Sequence, residues 1–405
     1  MSHEALADLM SGVSGSPIGA IFNKAVELRA QGRDLIDLSL GEPDFDTPEH
    51  IRAAAIAAIN AGQTRYTASD GTAALKDAIA RKFARDNGLS FSRAQIVVGA
   101  GAKPLIASAL QVILNPGDAV ILPTPVWTSH VGMVQACGAV PVLVATGAEH
   151  GFRITAAQLA AAITPTTRML LLCSPSNPTG SVYSAADLAA LADVLRRHPG
   201  IVILSDDLYE HIVFAPARFA TLAQVAPDLA ERILTVNGVS KAYAMTGWRI
   251  GYAGGPTWWT DGLRRLFSQT NGGPCSISQA AAIAALDGPQ AFLADRCDTY
   301  RRRVDIAFQA LAQVPGLTGT RPEGAFFMLP GCAALIGRRT AAGRLIASSS
   351  DLAGYLLEAG VVVVPGPAFY CDPYFRLSVA TSEANIIAGI GRIAAACAAL
   401  STGDR

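Results

Sequence analysis

Residues 169–209 read MLLLCSPSNPTGSVYSAADLAALADVLRRHPGIVILSDDLY. Two apolar runs, Met169–Cys173 and Ile201–Ser205, enclose a helical pattern, Ala185–His198, that stops at Pro199-Gly200. Neither run alternates apolar with polar residues, so both faces of each strand are expected to be covered, and strands joined through a helix lie parallel. The same texture extends outward. Ile96–Val98, Ala119–Leu122 and Pro141–Val144 come before, Ile233–Val236 and Ile250–Ala253 come after, and a further helix at Leu105–Leu114 ends before Asn115-Pro116-Gly117-Asp118. The pattern predicts an α/β fold whose large domain holds a mostly parallel sheet between helices.

Beyond Gly288-Pro289 the texture changes. Phe292–Ala312, with Arg296, Arg301, Arg302 and Arg303, reads as a long helix that opens a smaller α/β unit. That unit is expected to hold strands at Ala325–Leu329, Val361–Val364 and Phe375–Val379, a helix at Asp351–Ala359, and a last helix from Glu383 to about Leu400. The amino-terminal helix Ala20–Gln31 is expected to pack against it. The predicted division is a large domain, 47–290, and a small domain formed by both chain ends, 1–46 with 291–405.

A chain of 405 residues with 51% hydrophobic residues can bury a sizeable core. Its 32 Lys and Arg balance 32 Asp and Glu, which gives no electrostatic reason to expect nucleic acid or an anionic membrane as partner. Seven scattered cysteines without a Cys-x-x-Cys pair argue against a disulfide scaffold and a zinc knuckle, and no metal is expected. Met1–Met10 carries Glu4 and Asp8 and lacks a basic segment followed by an apolar run, so a cytoplasmic location is expected.

Ligands of open parallel sheets bind at the carboxyl ends of the strands, and four loops there carry polar residues that a core does not need. Gly99-Ala100-Gly101-Ala102-Lys103-Pro104 fits neither a dinucleotide fingerprint nor a P-loop, but its helix-opening turn can hold one phosphate. Ser174-Pro175-Ser176-Asn177-Pro178-Thr179-Gly180 fixes Asn177 between two prolines and a glycine. Asp206, in Ser205-Asp206-Asp207-Leu208-Tyr209-Glu210, either pairs with a positive group or caps a following helix. Lys241 lies among small and apolar residues, with Arg249 eight positions on, where burial lowers an amine's pKa and makes it nucleophilic.

These motifs, in this order, resemble the fold-type I pyridoxal-phosphate enzymes, specifically class I aminotransferases of the prokaryotic aspartate aminotransferase subgroup. The resemblance runs from about Ser16 to Glu383, with 29 residues from Asn177 to Asp206 and 35 from Asp206 to Lys241. It implies pyridoxal 5'-phosphate as cofactor. Lys241 is similar to the lysine that joins the cofactor covalently and then acts as base, and Asp206 to the carboxylate that keeps the pyridine nitrogen protonated. Tyr209 and Asn177 resemble the pair on the phenolic oxygen. Arg249, with the Gly101, Ala102 and Lys103 turn, resembles the phosphate clamp, and Trp127 the aromatic plate on the ring. Arg376 is similar to the arginine that grips the substrate α-carboxylate, supported by the Gly41 backbone and Asn177. Tyr66 resembles a tyrosine that reaches the phosphate of a neighbouring subunit, which implies a homodimer with shared sites.

The sequence departs from that pattern at Gly238, where relatives often place Ser or Thr, and at Tyr370, Phe327 and Ile18 around the substrate side chain. The resemblance implies amino transfer between an L-amino acid and a 2-oxo acid such as 2-oxoglutarate. It also implies that Lys103 points towards the far carboxylate of dicarboxylic substrates, so aspartate-type substrates are expected. An aromatic or broad-range aminotransferase, a β-lyase on the same site, and a ligand-sensing regulatory domain are the alternatives.

Overall fold

The computed structural model describes residues 7–401. The reading of the first ten residues rests partly on Glu4, which lies outside the described residues. Seven strands form the central sheet in the order Ile96–Gly99, Gly251–Gly254, Ile233–Gly238, Val202–Asp206, Thr167–Cys173, Ala119–Thr124, Val140–Ala145. Only Gly251–Gly254 runs antiparallel to its neighbours. The period-2 alternation of a strand sends Leu171, Leu204 and Leu234 to one apolar layer and Leu170, Leu172, Ile203 and Ile233 to the other. Helices Ala102–Gln111 and Thr257–Thr270 cover the first face, and Ala185–Arg196 covers the second. Uninterrupted apolar runs are therefore the sequence trace of the inner strands, buried on both sides, whereas the edge strand Val140–Ala145 carries the same kind of run yet leaves Val140 and Leu143 exposed.

Register aligns the functional loops. Asp206 ends its strand opposite Cys173 on one side and Val236 on the other. The loops that follow, carrying Asn177, Tyr209 and Lys241, leave the same sheet edge side by side.

The smaller unit carries helices Ala291–Leu311, Ser349–Glu358 and Glu383–Ala398 and two short sheets. The single strand expected at Val361–Val364 is divided: Val361–Val362 pairs with Ile36–Asp37, whereas Val364–Pro365 pairs with Phe375–Ser378. One apolar run serves two sheets, which hydrophobicity alone does not distinguish. The strand expected at Ala325–Leu329 is reduced to Phe327–Met328, because Ala325 adopts a positive φ of 55°.

The amino-terminal helix spans Pro17–Ala30, three residues earlier than its apolar pattern predicts. Ser16 caps it by accepting from the Gly19 N–H at 3.4 Å, and Pro17 takes the first helical position, where no intrahelical donor is needed. As expected, it packs on the smaller unit, with Ile18 and Ile21 against Val364, Ala368 and Phe369. Among the described residues, no helix is long and apolar enough to cross a membrane.

Candidate active site

A cavity of about 480 Å³ opens at the sheet edge, and Lys103, Trp127, Asn177, Asp206, Tyr209, Lys241, Arg249 and Arg376 all reach its wall. Lys241 follows the strand Ile233–Gly238, and its Nζ donates to the Gly41 carbonyl at 2.5 Å. Burial pulls its pKa down from the ordinary 10.5 to about 8, a shift opposed by the Glu42 and Asp206 charges and assisted by Arg376 and Arg249. A half-buried lysine is thereby brought close to the free-amine form.

Asp206 is only 4% exposed. Its Oδ2 lies 3.2 Å from His130 Nε2, and its Oδ1 accepts from the Leu208 N–H at 3.3 Å. A turn follows it and not a helix, so the capping alternative is overturned. His130 was not anticipated. It is fully buried and meets the Trp127 ring edge-on, with centroids 5.1 Å apart. The signal was available in principle: Trp127 precedes the helix Thr128–Gln135, and three residues on brings His130 to the same side. The neighbour Asp207 is buried on all sides, accepts from Ser205 Oγ at 2.6 Å and leaves Oδ2 without a partner; burial pushes its carboxyl up to about 7.

Tyr209 stands edge-on to Phe326 and Phe327, and burial raises its phenol well above the ordinary range. Lys241 Nζ lies 5.9 Å from the Tyr209 ring centroid. Arg376, in the strand Phe375–Ser378, is 1% exposed, and burial lowers its pKa to about 10. Its Nη1 donates to Asn177 Oδ1 at 2.9 Å and its Nη2 to the Ser39 carbonyl at 2.6 Å, while Nε has no partner. Its guanidinium carbon lies 4.4 Å from the Phe327 ring centroid and 5.0 Å from that of Phe369. No carboxylate neutralises it among the described residues.

A second cationic corner forms at the start of the helix Ala102–Gln111, which has no side-chain cap. Gly101, at a φ of 103°, lets the Arg249 guanidinium lie across it, and a Cβ there would overlap Arg249 Nη2. Free N–H groups, a helix N-terminus and a guanidinium converge there on a space suited to an anion. A free amine, an acid, a phenol, an uncompensated guanidinium and an anion cradle thus share one enclosure.

The profile of the family described as "Aminotransferase class I and II" matches residues 33–393. This chain belongs to that family. The aminotransferase is 51% identical over 396 residues to an aspartate aminotransferase of Rhizobium meliloti (strain 1021), covering 98% of this chain and 97% of the relative. It is 50% identical over 397 residues to an aspartate/prephenate aminotransferase of Cereibacter sphaeroides, covering 98% and 99% of the two chains. The crystal structure of a Rhizobium meliloti aspartate aminotransferase superposes with a TM-score of 0.95, covering 98% of this chain and 99% of that one at 51% identity. A Thermus thermophilus aspartate aminotransferase with maleate superposes at 0.91 and 39% identity, covering 97% and 99%. Class I aminotransferases use pyridoxal phosphate.

Tyr66 does not reach the cavity of its own chain. It is 95% exposed and runs beside Gly272. Gly41 contributes its carbonyl to Lys241 in this aminotransferase. Gly238 donates its N–H to Asn237 Oδ1 at 2.7 Å, and a Cβ there would press on the Ile250 carbonyl and Leu208 at 3.1 Å; Ser240 stands at the cavity wall instead. Of the substrate-side departures, Ile18 lines the cavity, Phe327 lies beneath Arg376, and Tyr370 occupies an exposed turn at a φ of 58°.

Proposed function

We propose that the protein is a pyridoxal-phosphate-dependent aminotransferase that moves the amino group of an L-amino acid, aspartate-type by preference, to a 2-oxo acid such as 2-oxoglutarate. The observation that carries the substrate class is Arg376. A guanidinium buried without a counter-charge is costly, and its unpartnered Nε edge matches the planar, bidentate carboxylate of an amino or oxo acid.

The residues fit the cofactor at each end. The uncapped helix start at Ala102, with Gly101, Lys103 and Arg249, would hold the phosphate, and Trp127 would cover the ring. Asp206 would face the pyridine nitrogen, and Asn177 and Tyr209 the phenolic oxygen. Bound pyridoxal phosphate supplies an electron sink for the carbanion formed at the substrate α-carbon. Asp206, oriented by His130, would supply the negative charge that keeps the ring nitrogen protonated. Lys241, as a free amine, would take the proton from the substrate α-carbon. Arg376 and Asn177 fix the α-carboxylate so that the α-carbon hydrogen meets Lys241. Trp127 and Ile18 of the amino-terminal helix give the cavity an apolar wall, which would limit water at the reacting carbon.

Tyr66, exposed on its own subunit, is proposed to complete the phosphate site of a second copy in a homodimer. The functional units are proposed as 47–290 and 1–46 with 291–405, in a cytoplasmic protein. Mixing the purified holoprotein with each amino acid in turn and recording its visible spectrum tests the reading. Aspartate and glutamate are expected to bleach the cofactor band, and 2-oxoglutarate to restore it. Borohydride reduction followed by peptide mapping should place the label on Lys241; label on Lys103 or Lys24 refutes the assignment.

A further inference from the structure

The turn that carries Tyr209 continues into Glu210 and His211, and neither has a place in the chemistry proposed above. Both meet the end of the helix Ala73–Asn87. Lys82 and Asp86, four residues apart, share one face of its last turn, and Asn87 closes the helix before Gly88, at a φ of 65°. Lys82 is fully buried; its ammonium pairs with Glu210 Oε1 and donates to Asn87 Oδ1 at 2.7 Å. Asn87 Nδ2 in turn donates to Glu210 Oε2 at 2.7 Å. Each oxygen of one buried carboxylate is thus gripped by a side chain of the same helix. Asp86 Oδ2 lies 3.9 Å from Lys82 Nζ, and Asp86 Oδ1 accepts from Arg85 Nε at 2.7 Å. His211 Nε2 lies 3.2 Å from Glu210 Oε1 and 3.5 Å from Asp86 Oδ2, and its ring meets Tyr243, two residues beyond Lys241, edge-on at 6.2 Å. Burial opposes the charge on Glu210, but Lys82 and His211 outweigh it and hold the carboxyl well below its ordinary range.

A buried ion pair is a poor source of stability, because taking both charges out of water costs about as much as their attraction returns. It does fix a direction. The Glu210 N–H donates to the Asp207 carbonyl at 3.0 Å and the Ile212 N–H to the Tyr209 carbonyl at 2.8 Å, so Tyr209 lies in two overlapping turns between the strand end at Asp206 and the clamped carboxylate. Phe326 and Phe327 confine its ring from the sides, and the turn sets how far the phenol reaches into the cavity. We propose that Glu210, clamped by Lys82 and Asn87, is a positioning residue that aims the Tyr209 phenol at the phenolic oxygen of the cofactor. Glu210 does not line the cavity and acts through Tyr209. The proposal rests on the aminotransferase reading above and adds to it a support behind the site.

The test uses the holoenzyme and reads the pH midpoint of the cofactor's visible band. A donor on the phenolic oxygen favours its anionic form and lowers that midpoint, so a misaimed phenol raises it. Lys82→Met combined with Glu210→Gln removes the clamp without leaving a buried charge unpaired, and Asn87→Ala releases Oε2 alone. The double variant should raise the midpoint by about half a unit or more, roughly threefold in the equilibrium, and lower kcat for aspartate by about as much. The dissociation constant of the unreactive dicarboxylate maleate should stay within about twofold, because Arg376 is untouched. Asn87→Ala should move the midpoint the same way by less. Both shifts should vanish in a Tyr209→Phe background, since a residue that acts through a hydroxyl has no effect once the hydroxyl is gone. A lowered Tm with an unmoved midpoint would mean that the cluster only stabilises the fold, and a shift that persists beside Tyr209→Phe would mean that it acts by another route; either overturns the proposal. If the double variant does not fold, Asn87→Ala decides by the same readings. A wild type that binds no pyridoxal phosphate overturns both this proposal and the aminotransferase reading. A bound cofactor that no amino acid bleaches overturns that reading alone, and the midpoints still decide the role of Glu210.

Discussion

The lowered pKa of Lys241 gives a prediction that can be read one residue at a time. An ordinary lysine at 10.5 is about 0.1% neutral at pH ~7.5, whereas one held at about 8 is roughly a quarter neutral, a ~200-fold larger supply of free amine. Burial is the main cause, and the two nearby guanidiniums, Arg376 and Arg249, act in the same direction. The assay is reductive methylation of the cofactor-free protein across pH, with each lysine quantified by mass spectrometry against a free lysine derivative. The shape of the profile, not its height, carries the result, because Lys241 is only partly accessible. The extent at Lys241 should rise through an inflection near 8. Glu42 is the largest opposing charge, so Glu42→Gln should move the inflection lower still. An inflection near that of the free derivative, or an upward move in Glu42→Gln, refutes the account of a desolvated amine among cations.

Asp206→Ala should fold and bind substrate carboxylates but lose roughly 10² or more in turnover, as other single electrostatic deletions at active sites do, and a near-normal rate refutes its role. Lys103→Ala should lower kcat/KM for aspartate about tenfold (~1.4 kcal/mol) and spare phenylalanine; equal losses would confine Lys103 to the cofactor phosphate. Asp207 titrates with the opposite sign to most acids: burial raises it to about 7, so its proton favours the native state and stability falls as pH climbs from its ordinary 3.8 towards that value. Asp207→Asn keeps an acceptor for Ser205, and between pH ~5 and ~8 it should gain about 2–3 kcal/mol on the wild type, seen as a widening Tm difference; a difference that is flat with pH refutes the buried, protonated acid.

The central sheet was legible because burial on both faces leaves a local trace, an apolar run with no alternation, and because turn residues punctuate it. The smaller unit was less so. Val361–Val364 serves two different sheets, a fact fixed by partners at Ile36–Asp37 and Phe375–Ser378 that lie far away in the chain. In the site, Lys241, Asp206 and Asn177 were marked by loops at strand ends, where polar residues have no reason to be if the core is the only consideration. His130 was not, since a histidine on an otherwise apolar helix face reads as core until the acid 76 positions away is placed against it. Tyr66 shows the opposite limit: the sequence singles it out, yet its own chain leaves it in solvent.

Arg376 draws the two units together. Its strand belongs to the smaller unit, Asn177 to a loop of the central sheet and Ser39 to the amino-terminal segment, so one guanidinium is held by pieces of chain 199 and 337 residues apart from it. Carbonyl and amide oxygens with two phenyl rings satisfy part of such a cation, but none of them cancels its charge. On the proposed reading the missing anion arrives with the substrate, and the α-carboxylate then completes an ion pair at the seam between the units. Binding and cohesion become the same interaction. A carboxylate that enters should therefore tighten the seam as it orients the α-carbon towards Lys241, and a ligand lacking that carboxylate leaves the charge unpaired however well its side chain fits the cavity.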